Sequence, residues 1–139
     1  MTAIRISLLL LVCGVFAGCA SDKALIREMR PTMTGTVRCQ TPLELPRNSV
    51  LTVRLLDVSR TDIPPVVLSE RSTSNPGEAP IPFKLYYPYG GIPSGVRYVI
   101  EARIEVEGRL RYYSVETHLV TPQNAAQPHE VWVEAAGES

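Results

Sequence analysis

The residues that could do chemistry in this 139-residue chain are few, and their spacing does not suit catalysis. His118 and His129 are the only histidines, neither has a further ligand at metal-binding spacing, and His129 is expected at a solvated loop end. Gly90–Gly95 is followed by no lysine or helical pattern, which indicates a turn rather than a phosphate loop. The glutamates between 101 and 107 alternate with Arg103, as solvated charges on a strand do. We therefore predict a non-enzymatic protein with no catalytic residues, metal site or cofactor.

Chemistry is indicated instead near the amino terminus, at Cys19. An apolar run from Leu8 to Cys19 follows Arg5 and ends in small residues. The run is about a dozen residues long, and a helix that spans a bilayer needs roughly 20. A positive charge, a short apolar core and small residues before a cleavage point are typical of a secretory signal peptide.

The end of this run, Phe16-Ala17-Gly18-Cys19, resembles the lipobox of bacterial lipoproteins, with Phe16 where leucine is usual. The resemblance implies that residues 1–18 are removed and that Cys19 carries diacylglycerol and an acyl group such as palmitate. Two or more such chains anchor a protein stably to a membrane. By the sorting rule of such lipoproteins, Ala20 favours the outer membrane, with the domain on its periplasmic face. The alternative is an ordinary signal peptide with an incidental cysteine.

The remaining 121 residues are enough for one domain with a single core. The first 18 residues hold one basic side chain, Arg5, and no acidic one, so the remainder has a net charge of −1 and indicates no nucleic-acid partner. Cys39 is then left without a disulfide partner, and we expect a small buried strand residue rather than a reactive thiol. The predicted organisation is a signal peptide over 1–18, a lipidated flexible tether over 19–32 and a folded domain over 33–136.

Short segments that alternate apolar and polar residues fill the predicted domain, and 12 prolines disfavour long helices. Pro82 predicts that its strand lies at a sheet edge. A hairpin is predicted where two alternating runs meet at Gly108. The predicted β segments are Thr34–Gln40, Val50–Val58, Val66–Ser72, Ile81–Tyr87, the hairpin Val96–Val115 and Glu130–Ala135.

About seven strands with no packed helix predict an all-β fold, an antiparallel two-sheet β-sandwich of roughly immunoglobulin size. A small barrel is the alternative architecture. Aromatic side chains favour partner binding where they are exposed, and they gather in two stretches. We predict a partner-binding role for Phe83, Tyr86, Tyr89, Tyr112 and Tyr113. The alternative is that these residues cover the second side of a thin sheet.

The order of several segments resembles the YscW/YbaY-type lipoproteins, which include the type III secretion pilotins of the ExsB and YscW kind. The segments are Leu51–Ser59, Pro64–Glu70, Ile81–Leu85 and Arg97–Ile104, and the resemblance covers about residues 33–135. It implies a pilotin, an outer-membrane lipoprotein that binds secretin subunits and promotes their localisation and ring assembly. It marks no binding residue.

Two other functions stay open at this point. One is a general envelope lipoprotein of the same fold with a structural or stress role. The other is a ligand-binding or inhibitor lipoprotein, for which Pro88–Gly95 is the candidate loop. No small-molecule substrate is expected in the pilotin interpretation.

Overall fold

The computed structural model describes residues 31–87 and 90–137, so the predicted signal peptide, Cys19 and most of the predicted tether lie outside the described residues. The described chain holds no α-helix, and none of it could cross a membrane as a helix. The prediction of an all-β fold is confirmed. The strands are β1 (Thr32–Cys39), β2 (Ser49–Asp57), β3 (Val66–Ser74), β4 (Ile81–Tyr86), β5 (Tyr98–Val106), β6 (Arg109–Ser114), β7 (His118–Val120) and β8 (His129–Ala135).

These strands form one sheet in the order β3-β2-β5-β6-β8-β1-β4, with β7 paired to β5. The predicted division into two sheets is wrong, because β6 pairs with both β5 and β8, and β8 continues to β1 in parallel. The end strands β3 and β4 contact each other without pairing, so the sheet is a nearly closed barrel. This nearly closed sheet is closer to the small barrel, the alternative architecture, than to the predicted sandwich. β4 is an end strand, which confirms the edge position predicted from Pro82.

The β5–β6 hairpin is confirmed, and it explains the strand that the sequence did not reveal. Its two turn residues, Glu107 and Gly108, have φ values of 52° and 78°, as a type I′ turn requires. β6 pairs with β5 only from Arg103 to Val106, and β7 pairs with the remainder of the same edge of β5, from Tyr98 to Ile100, while β8 pairs with the other edge of β6. β7 has only three residues, too few to show a strand period.

The core lies inside the barrel and is built from alternate residues of the strands. Gly35 of β1 pairs with Phe83 of β4, and a Cβ at Gly35 would overlap the carbonyl oxygen of His129 and lie 2.6 Å from Cζ of Phe83. Glycine is therefore needed here to admit the phenyl ring and β8. The most completely buried apolar side chains are those of Met33, Val37, Leu51, Val53, Leu55, Leu85, Ile100, Ala102, Ile104, Val120, Val131 and Val133.

Candidate partner-binding surface

The first group of predicted binding residues lies on or beside β4. Phe83 is only 8% exposed and belongs to the core, so its ring is not part of the outer surface. Tyr86 follows the buried Leu85 and faces the outside, with the Lys84 Nζ 6.0 Å from the centre of its ring. Tyr89, like Cys19, lies outside the described residues.

The second group lies on β6, and the two tyrosines there face in opposite directions. Tyr112 is half-buried and packs against the core, whereas Tyr113 is 41% exposed on the outer face. β8 and β1 lie between β6 and β4. Tyr113 and Tyr86 are therefore three strand spacings apart across the sheet, roughly 14 Å, and they also lie at opposite ends of β1, because Tyr86 pairs with Thr32 whereas Tyr113 pairs with Glu134, one residue beyond the partner of Cys39. The structure does not bring the predicted residues into one patch, and their binding role stays a prediction.

A different aromatic patch lies on the outer face of β6 and β8. Trp132 is 38% exposed, and Val115, just beyond β6, is 43% exposed. Both residues line a depression of about 200 Å³ together with Gln40, Glu116 and Glu134. Tyr113 extends the patch, because it pairs across the strands with Glu134. We call Tyr113, Val115 and Trp132 the Trp132 surface.

The Trp132 surface has the composition of a binding surface with an acidic rim. Exposed tryptophan and tyrosine side chains are enriched at interaction hot spots. Its carboxylates are those of Glu116 and Glu134, while the adjacent Arg38 is neutralised by Glu130 at 2.9 Å. This arrangement suits an apolar partner segment that also carries a positive charge.

Of these residues, only Tyr113 is predicted from the sequence as a binding residue, although the sequence pattern also predicts that Trp132 faces outward. Val131 and Val133 are both buried, and side chains alternate along a strand, so the intervening Trp132 must face outward. Val115 carries no such signal, because its position beside Trp132 depends on the pairing of β6 with β8. Cys39, also considered above, is half-buried against the core and has no disulfide partner in the described chain.

His129 is not the solvated loop end that the sequence predicted. It is the first residue of β8, is 4% exposed, and its Nδ1 lies 2.9 Å from the Nε2 of His118 in β7. The rings meet edge to face, with 76° between their planes. Burial lowers the pKa of both imidazoles, and the positive charge of His129 lowers the pKa of His118 further.

This pair is therefore neutral at pH 7, and one ring donates an N–H hydrogen bond to the ring nitrogen of the other. Within residues 31–87 and 90–137, no three His, Cys, Asp or Glu side chains come close enough to hold a metal ion. The two histidines join β7 to β8 across the interior. Their arrangement indicates a structural role.

Comparison with a solved structure relates this fold to a pilotin. The chain superposes on an alternative pilotin from the type II secretion system of Vibrio cholerae with a TM-score of 0.70 and 32% sequence identity. The match covers 78% of this chain and 98% of the pilotin. The neighbour is thus similar over nearly its whole length, in sequence as well as in fold.

Comparison of the sequence gives two further matches. The chain is 32% identical over 82 residues to the uncharacterized lipoprotein YbaY of Escherichia coli, which is 58% of this chain but 43% of that relative. The chain thus spans less than half the length of the curated relative that it matches. Residues 28–133 match the model of the type III secretion system lipoprotein chaperones (YscW). A match over most of the chain shows that this protein belongs to the YscW family of lipoprotein chaperones.

Proposed function

We propose that the protein is a pilotin, a non-enzymatic chaperone that binds a secretin subunit and promotes its assembly in the outer membrane. The observation that carries this proposal is the pilotin neighbour, which the chain matches over 98% of the neighbour's length. The family description adds type III secretion, whereas the neighbour serves type II secretion. The partner is therefore a secretin of the type III kind, with the type II kind as the second candidate.

In this proposal Cys19 carries the lipid that holds the domain on the periplasmic face of the outer membrane. Cleavage before Cys19 would leave residues 19–31 as the link between the acyl chains and β1, which begins at Thr32. Three acyl chains hold such a protein at the membrane far more firmly than a single chain. The bound secretin would then be carried to the same membrane.

We place the secretin contact on the Trp132 surface. A large aromatic side chain with a half-exposed valine beside it offers apolar area that a partner can cover, and the carboxylates of Glu116 and Glu134 give the contact its charge preference. Tyr86 lies on β4, elsewhere on the outer face. Its substitution therefore tests whether the secretin binds at β4, as predicted from the sequence.

The test is purification of the full-length protein with the secretin of the same genome, followed by measurement of their affinity. Trp132→Ala and Tyr113→Ala should each weaken binding by about tenfold or more, as truncation of a central aromatic does. Leu119→Ala, at a residue 43% exposed on β7, is the matched control and should change affinity less than about twofold. Equal affinity of all variants would remove the Trp132 placement, and a loss with Tyr86→Ala alone would move the contact to β4.

Lipid attachment at Cys19 has a separate test. Cys19→Ser should leave the domain folded but release it, and the secretin with it, from the outer-membrane fraction. Retention of the variant in that fraction would contradict the assigned anchor. The match to the lipoprotein YbaY supports a general lipoprotein role as the second candidate. Absence of any secretin from the purified complex would support that role instead.

A further inference from the structure

The strand β3 has an open edge. It hydrogen-bonds to β2 along its whole length, and no segment within residues 31–87 or 90–137 pairs with its other side. β3 is nine residues long, and all but two of its residues are exposed. An unpaired edge of this length presents a row of free N–H and C=O groups that can template another strand.

The hydrogen bond between Asn75 and Ser49 shows which backbone groups are free. Asn75 donates its N–H to the Ser49 carbonyl at 2.8 Å, in register with the β2–β3 ladder. Backbone groups alternate in direction along an antiparallel strand. Ser74, Ser72 and Glu70 therefore turn their N–H and C=O groups away from β2, toward the open edge.

The opposite end of the sheet lacks this feature. β4 is six residues long, and Pro82, in its second position, has no N–H to offer. Lys84 also stands on β4, and lysine and proline are two of the devices, beside bulges and inward-pointing charges, that natural edge strands use against unwanted pairing. β3 contains neither proline nor lysine.

The side chains of β3 define the chemistry of a segment that could pair with it. Val67 is 48% exposed on the outer face and continues an apolar row from Leu56, with which it pairs. Glu70 is neutralised by Arg54 at 2.6 Å. Arg71 is exposed on the other face, and no ion pair to it is found in the described part of the chain. The open edge thus combines an apolar position with an unneutralised positive charge.

We propose that a second, extended segment of the partner protein, distinct from the one at the Trp132 surface, adds to β3 as a further antiparallel or parallel strand, with an apolar residue beside Val67 and a carboxylate beside Arg71. Val67 and Arg71 are four residues apart on β3, but their partners on β2, Leu56 and Val53, are three apart, because a β-bulge opposite Leu55 and Leu56 leaves Leu68 of β3 as an extra residue. The added strand therefore carries its apolar and acidic residues three positions apart. This inference rests on the proposed function, since the partner is the secretin.

Charge favours a foreign segment over a second copy of this chain. The antiparallel register that overlaps all nine residues of β3 with the same strand of a copy sets Glu70 against Glu70, and a relative shift of two residues sets Arg71 against Arg71. Like charges directly opposite each other destabilise a strand pair. A foreign segment with a carboxylate beside Arg71 meets no such repulsion.

The test compares Ser72→Pro with Ser72→Ala in the full-length protein, probed with overlapping 15-residue peptides of the secretin and with the intact secretin. Both variants lose the contact of Ser72 Oγ with Thr52 Oγ1 at 3.1 Å, but only proline also removes the outward N–H. Proline should weaken binding about tenfold or more relative to alanine, and Arg71→Glu should weaken it similarly. The amides of Glu70 and Ser72 should exchange hydrogen more slowly when the peptide is bound.

The outcomes separate the two proposals. Secretin binding with unchanged affinity in Ser72→Pro and Arg71→Glu, and unchanged exchange at Glu70 and Ser72, overturns strand addition while the pilotin function stands. No binding of the secretin to the unaltered protein overturns both. Concentration-dependent dimers that protect the same amides without peptide would instead assign the edge to a second copy. Should Ser72→Pro not fold, Arg71→Glu and the exchange measurement decide the question.

Discussion

The two end strands of the sheet, β4 and β3, differ in what their side chains do. On β4, Ile81, Phe83 and Leu85 are all at most 8% exposed and belong to the core. On β3, Val66 and Val67 are each 48% exposed, although both strands have one paired and one unpaired edge. β4 therefore stabilises the fold through its core side chains. β3 is held mainly by its hydrogen bonds to β2, and its surface is left for other contacts.

Truncation of a core residue on β4 should destabilise the protein far more than truncation of an exposed residue on β3. Leu85→Ala should reduce the free energy of unfolding by about 2–5 kcal/mol, because it leaves a cavity in the core at a residue that is 1% exposed. Val67→Ala on β3 should cost less than about 0.5 kcal/mol. Urea unfolding of both variants measures the difference. Similar losses would show that β3 is as deeply integrated as β4.

A larger residue at Gly35 of β1 should destabilise the protein, because it would crowd β4 and β8. Gly35→Ala adds a methyl group where the Phe83 ring and the His129 carbonyl already lie, so we expect a loss of about 1–3 kcal/mol from overpacking. Thr34→Ala, at the exposed neighbouring position, is the control and should be close to neutral. Equal urea midpoints for the two variants would contradict the close approach of β4 and β8 at Gly35.

The histidine pair predicts a pH dependence of stability. Burial lowers the pKa of His118 and His129 below the ordinary value of about 6.5, so the unfolded chain binds protons that the folded chain does not. The stabilisation is complete above pH 6.5 and decreases as the pH falls through 6.5 toward the lower folded-state pKa values. Urea unfolding between pH 8 and pH 5 measures it, and the double variant His118→Gln/His129→Gln should lose this part of the slope. An unchanged slope would show that other groups cause the dependence.

The ion pair that links β2 to β3 should contribute less to the stability of the fold than the residues discussed above. Arg54 and Glu70 are 31% and 44% exposed, so a double-mutant cycle with alanine at both positions should give a coupling below about 1 kcal/mol. The coupling should decrease in 1 M salt. A larger, salt-independent coupling would mean that the side chains of β3 stabilise the fold more than their exposure suggests.

Much of the local structure could be predicted because it is encoded within a few residues. Alternation of apolar and polar side chains located seven of the eight strands of the described chain to within about two residues. Pro82 indicated the edge position of β4, and Gly108 indicated the hairpin, because a missing N–H and a positive φ are properties of single residues.

The residues predicted to bind a partner were selected by type, and residue type does not determine which side of the sheet a ring occupies. Phe83 is in the core because Gly35 on the neighbouring strand leaves room for its ring. Trp132 faces outward between two buried valines, a pattern that was available in the sequence. That Val115 lines the same depression could not be read from the sequence, because it depends on the pairing of β6 with β8.

The all-β class, the positions of most strands and the family resemblance are encoded in the sequence, because strand periodicity and motif order are properties of neighbouring residues. Four features emerge only in the folded chain: the strands form one nearly closed sheet instead of two, β7 exists, His118 meets a buried His129, and β3 has an edge with which no described residue pairs. These features depend on which strands pair across the chain. Pairing is chosen by the joint burial of the core and the completion of backbone hydrogen bonds, and no local pattern encodes it.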